Sequence, residues 1–202
     1  FSPSKQVTIK ARKGKTNYNK SQHPMKRILH QAKQKSFGLI FFFFGMLALL
    51  PTAGATSYTW TGAVSNEWGN PLNWSPSTGF PDLGDDVTIN SASNNPLYEE
   101  ISGLNDFTIN SGSLDLSGFT ILISGTASFN GGTISNGGVN CSGTTTTLAG
   151  TVFASGVGLT INSANVYFNG GTFNGAVAVT KSGSGDNTSD GGNTFKGTFS
   201  LT

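Results

Sequence analysis

Short words recur in this chain at a nearly fixed interval, and no other feature limits its fold as much. DVTINS at residues 86–91 returns as DFTINS at 106–111, an offset of 20 residues. TINS appears again at 160–163, and FNGGT at 129–133 is repeated at 168–172, an offset of 39, close to twice the first interval. Self-similarity at such a period marks a repeat architecture in which each unit stacks on the one before. A coil of this length holds two or three short strands joined by tight turns, each strand pairing with its equivalent one coil on at ~4.8 Å.

The texture between the repeats agrees. From residue 86 onward, apolar and small polar residues alternate over four to six positions, as in VTIN, FTIN, TVFASG and FKGTFSLT, and the runs are punctuated by Asn-Gly, Ser-Gly and Gly-Gly. Alternation of that kind is the half-buried strand pattern, and no window supports a helix. Asn and Gly at the corners supply the positive φ that tight turns require. Inward Ile, Leu, Val and Phe make the core. Residues 86–202 therefore read as an all-β, right-handed parallel β-solenoid. An antiparallel sandwich is the alternative, since turn signals every 8 to 12 residues would also serve it; identical recurring words favour the solenoid.

Directly before the first repeat, residues 56–85 have a different character. This segment holds Trp60, Trp68 and Trp74 with Pro71, Pro76 and Pro81, and it reads as irregular loop. An open solenoid has a first coil whose apolar interior and unpaired strand edge would otherwise meet water. Trp plugs such an end well, and it also stacks on sugars. The three tryptophans are thus expected to form an N-terminal cap, with carbohydrate stacking as the second reading.

The same residues carry a resemblance. Trp60-Thr61-Gly62, Trp68, Asn73-Trp74-Ser75, Pro81 and the GDDVTI word from Gly84 to Ile89 resemble the N-terminal opening of large secreted, adhesin-like β-helical surface proteins of Gram-negative bacteria. SGSGDNTSDGGNTFKG at residues 182–197 resembles a repeat segment of the same proteins. The resemblance covers roughly residues 58–90 and 177–202. It implies a rigid β-solenoid stalk at or beyond the cell surface, with binding regions carried elsewhere in a longer parent. The stop at Thr202, inside a strand pattern, suits an N-terminal fragment.

Charge is segregated along the chain. Ten of the twelve Lys and Arg lie in the first 35 residues. Residues 25–55 run from a basic start through the apolar stretch 37–50 to Ala53-Gly54-Ala55, the layout of a secretory signal peptide cleaved before Thr56. A membrane anchor is disfavoured, because 14 residues at ~1.5 Å each reach only ~21 Å of a ~30 Å hydrocarbon core. Residues 1–24 are polar, basic and aperiodic, and are expected to be a disordered leader. Residues 56–202 carry ten carboxylates against Lys181 and Lys196, a net charge near −8. Such a surface has no footprint for nucleic acid. The signal segment predicts export with no membrane span after processing, and the resemblance implies secretion or display on the outer face of a Gram-negative bacterium, with surface glycans or host or neighbouring-cell surfaces as partners.

Chemistry is sparse in that exported part. It has no His and no Arg, which excludes Ser-His and Cys-His nucleophile systems within it. Asp85 and Asp86 adjoin, but strand neighbours point to opposite faces, and both read as solvated turn residues. No catalytic residue is expected; the rival function is the non-catalytic N-terminal part of a secreted polysaccharide-degrading β-helix enzyme. No cofactor is implied. Asp186, Asn187, Asp190 and Asn193 are weak candidate calcium ligands, offering oxygens to a hard cation, although a solvated turn explains them more simply. Cys141, the single cysteine, excludes an internal disulfide and reads as a small buried residue.

Overall fold

The computed structural model describes residues 54–99, 103–185 and 187–202, which form a β-solenoid of about six turns. The expected leader, and the signal segment as far as Ala53, lie outside the described residues. Helix is limited, among the described residues, to one 3-10 turn at Pro71–Asn73. Among the described residues no helix is long and apolar enough to cross a membrane.

The chain enters through β1 (Ser57–Trp60), β2 (Trp74–Ser75) and β3 (Asp86–Ile89). Five three-strand coils follow. The first is β4 (Phe107–Ile109), β5 (Ser113–Asp115) and β6 (Thr120–Ile123); the second is β7 (Thr126–Phe129), β8 (Thr133–Ser135) and β9 (Gly138–Cys141). The third is β10 (Thr145–Leu148), β11 (Val152–Phe153) and β12 (Gly158–Ile161); the fourth is β13 (Asn165–Phe168), β14 (Thr172–Phe173) and β15 (Val177–Val179). The last is β16 (Asn187–Ser189), β17 (Thr194–Phe195) and β18 (Phe199–Leu201). Equivalent strands stack into three sheets, ordered β16-β13-β10-β7-β4-β3-β1-β2, β17-β14-β11-β8-β5 and β18-β15-β12-β9-β6. Every pair is parallel except β1 with β2, so the antiparallel sandwich is ruled out.

Each recurring word has a physical task. In DVTINS, Val87 and Ile89 point inward and are buried while Thr88 faces out, as the two-residue period of a strand demands. Asp86 Oδ1 accepts from the backbone N–H of Asp106 (3.1 Å), and Asp106 Oδ1 accepts from that of Thr126 (2.6 Å). The acid of one coil thus satisfies the first amide of the next. Asp86 also accepts from Asn105 Nδ2 (2.8 Å), and Asp85 Oδ1 takes the Thr56 N–H (2.8 Å). Both acids are half-buried parts of the ladder, which corrects the expectation of solvated turn residues. Asn closes the word: Asn110 Nδ2 donates to Asn90 Oδ1 (3.1 Å) and Asn130 Nδ2 to Asn110 Oδ1 (3.0 Å).

FNGGT is a corner between the first and second sheets. Phe129 ends β7 inside the core, and Gly132 turns the chain with φ of +75° before Thr133 opens β8. A Cβ on Gly132 would lie 2.6 Å from the Gly112 carbonyl oxygen of the coil below. Backbone stacks there directly on backbone. The interior is built from columns in register, one per inward position. In the second sheet Leu114, Ile134, Phe153, Phe173 and Phe195 stand one above another, and the Phe153 and Phe173 rings stack at 5.3 Å between centroids.

Residues 56–84 are more regular than expected. β1 adds to the first sheet in parallel beside β3, pairing Tyr58 with Val87, and β2 turns back antiparallel as its outermost strand. Proline and tryptophan hid these two short strands, because side-chain alternation over two to four residues is too brief to read.

Candidate functional site

The structure brings Trp60, Trp68 and Trp74 together at the N-terminal end of the first sheet. Trp60 and Trp74 meet edge to face at 4.9 Å between centroids, Trp74 and Trp68 at 4.7 Å, and Trp68 and Tyr98 at 5.1 Å. Trp68 is 0 % exposed, and Trp60 and Trp74 are each 2 % exposed. Two polar handles are satisfied within the loop region, Trp60 Nε1 donating to the Asn94 carbonyl (2.8 Å) and Trp74 Nε1 to the Trp68 carbonyl (2.7 Å), while Trp68 Nε1 is buried with no hydrogen-bond partner among the described residues. Sugar stacking needs a ring face open to water. None of the three offers one, so the carbohydrate reading of these tryptophans does not fit the geometry.

A buried asparagine organises the loop that carries them. Asn73, also 0 % exposed, accepts from the backbone amides of Val64 (3.1 Å) and Ser65 (3.0 Å), and its Nδ2 donates to Ser65 Oγ and the Glu67 carbonyl (both 2.9 Å). Its own carbonyl receives the Thr61 N–H (2.8 Å). One side chain thereby closes the turn between Trp60 and Trp74, with every one of its polar atoms partnered.

Beside this cluster, at the N-terminal end of the second sheet's outer face, lies a groove of about 580 Å³. The loop at Ser65 and Asn66 forms one wall, residues 93–97 another, and the outward side chains of β5 and β8 the floor. Leu97 bridges in parallel to Glu67 on one side and Asp115 on the other. Sequence reasoning missed this groove, since residues 93–97 carry no repeat word and join the sheet through single bridges. Tyr98 was missed for the same reason.

The candidate calcium ligands are scattered in role. Asp186 lies outside the described residues. Asn187 Oδ1 accepts from the Val166 N–H (3.1 Å), and Asn193 Oδ1 accepts from the amides of Gly170 (2.9 Å) and Gly171 (3.1 Å). These oxygens stitch the last coil to the one below. Among the described residues no group of three or more His, Cys, Asp or Glu gathers where a metal ion could sit. Of the cleavage residues, Ala53 lies outside the described residues, and Ala55 and Thr56 lie just before β1.

Cys141 stands in an aliphatic column between Ile123 and Ile161 in the third sheet. Burial pushes its thiol up to about 12, with the Thr146 hydrogen bond pulling the other way. A thiol so held is no nucleophile near neutral pH. Thr146 shares its hydroxyl with Ser163 at 2.8 Å, a buried polar pair inside the core.

Comparison with protein-family models, with curated proteins and with solved structures yields no match.

Proposed function

We propose that this chain is an exported structural and adhesive module, a rigid β-solenoid stalk of a Gram-negative cell surface. The stacking of its coils carries the reading. Buried tryptophans lie over the first coil, and from there the coils advance along one axis, each strand paired with its equivalents in the adjacent coils, which is the construction of a spacer. The acidic surface of residues 56–202 and the basic, apolar and small-residue order of residues 25–55 support passage out of the cell.

Expression of the full chain in a Gram-negative host tests this. Mass spectrometry of protein released or shaved from intact cells should find an N-terminus at or near Thr56. Recovery of an intact 37–50 segment in the inner-membrane fraction, or of all the protein in the cytoplasm, would overturn the proposal.

A further inference from the structure

We infer that the groove at the N-terminal end of the second sheet is a binding site for a neutral oligosaccharide. This deepens the adhesive reading and rests on it for its biological use. The chemistry of the lining leaves few classes of ligand. No Lys or Arg lines the groove, so nothing there holds a phosphate or a carboxylate ligand. Its one carboxylate, Asp115, is already committed: Oδ1 accepts from the Ser117 N–H (2.8 Å) and Oδ2 from Asn136 Nδ2 (2.9 Å). A hard cation wants six to eight oxygens with several charges among them. A single engaged acid does not supply that.

Peptides fare no better. An extended peptide binds by adding a strand to a free sheet edge, and the edge that β5 turns to this groove is already covered by residues 96–98. Leu97 N–H donates to the Asn66 carbonyl (2.8 Å), Tyr98 N–H to the Asp115 carbonyl (2.7 Å), and Asp115 N–H to the Pro96 carbonyl (3.1 Å). The groove offers side-chain hydroxyl and amide besides. Asn66, Ser93 and Ser135 line the groove and make no side-chain hydrogen bond among the described residues. These groups donate and accept without charge, as an array of sugar hydroxyls requires. Leu97, 37 % exposed, adds an apolar contact for the carbon face of a ring. The volume falls within the ~300–1,000 Å³ usual for small-ligand sites, and strands on the floor hold its geometry without a ligand.

The test is calorimetric titration of the full chain with linear neutral hexasaccharides of glucose, mannose and xylose, with a hexamer of galacturonic acid alongside. At least one neutral sugar should bind saturably, and the acidic hexamer should not. Ser135→Ile, which adds bulk at a strand-compatible position, and Asn66→Ala with Ser93→Ala should each weaken binding at least tenfold while the melting temperature holds. Absence of binding by all neutral sugars, tighter binding of the acidic hexamer, or equal binding by the variants would overturn the inference. Sugar binding by a chain that stays in the cytoplasm would sink the adhesive reading alone; export without sugar binding would sink this site alone.

Discussion

At the scale of single residues, Cys141 reports the quality of the interior. Its folded thiol sits well above the ordinary value of 9.0, driven first by burial, while in the unfolded chain it titrates near that ordinary value. Below pH 9 both states keep the proton and the shift costs nothing. Between about 9 and about 12 the unfolded state loses its proton first, so stability falls as pH rises. Urea midpoints measured from pH 8 upward should therefore decline more steeply for the native chain than for Cys141→Ala. Parallel lines for the two proteins would show that the thiol is not buried in solution. Asn73 is the contrasting residue. Its four hydrogen bonds decide the path of the Trp loop, yet nothing in NWS distinguishes a buried organiser from a surface asparagine. That role depends on partners at Val64, Ser65 and Glu67, which no local pattern reveals.

At the scale of strands and corners, what could be read in advance was what repeats. The D-x-T-I-N word declared the inward pair, because an in-register ladder places equal residues on equal sites. Its asparagine is a different matter: the sequence suggests corners of positive φ, whereas among the described residues Asn136 is the asparagine that takes it, and Asn90, Asn110 and Asn130 stack through side-chain hydrogen bonds. The corners were legible as Gly, but not which glycines lie against neighbouring backbone. Gly143 is such a site: a Cβ there would collide with the Gly125 carbonyl and its flanking backbone, while one at Gly156 would meet nothing within 4 Å. Neither side of the Gly143 contact is a flexible side chain, so two coils must separate to admit a methyl group. Gly143→Ala should destabilise the fold by roughly 1–3 kcal/mol, the range for overpacking, measured by urea unfolding. Gly158, with open space around it and no positive φ, is the control, and Gly158→Ala should change stability by less than about 0.5 kcal/mol. Equal effects would mean that the coils are not in close contact at this corner.

At the scale of the whole molecule, stability in a stack of coils is a sum of coil and neighbour terms, and a lesion spreads from where it is made. Trp68 touches Trp74 and Tyr98 and is wholly enclosed, so Trp68→Ala should cost ~3–5 kcal/mol, the usual figure for a large core aromatic. Hydrogen exchange should locate the loss. Amides of β3 and β4 should exchange faster while those of β12 keep their protection; a uniform loss along the chain would contradict the coil-by-coil picture. The parallel pairing carries one more consequence. Strand β7 pairs with β4, β10 with β7 and β13 with β10, so each coil's template is chain that precedes it by about one repeat. One edge of a coil is thus met by chain already present, and its other edge is closed by the coil that comes next, as when the Leu116 N–H donates to the Ser135 carbonyl. The molecule can therefore be completed in the order in which it is translated, with its aromatic end finished first and each later turn laid on a surface that already exists.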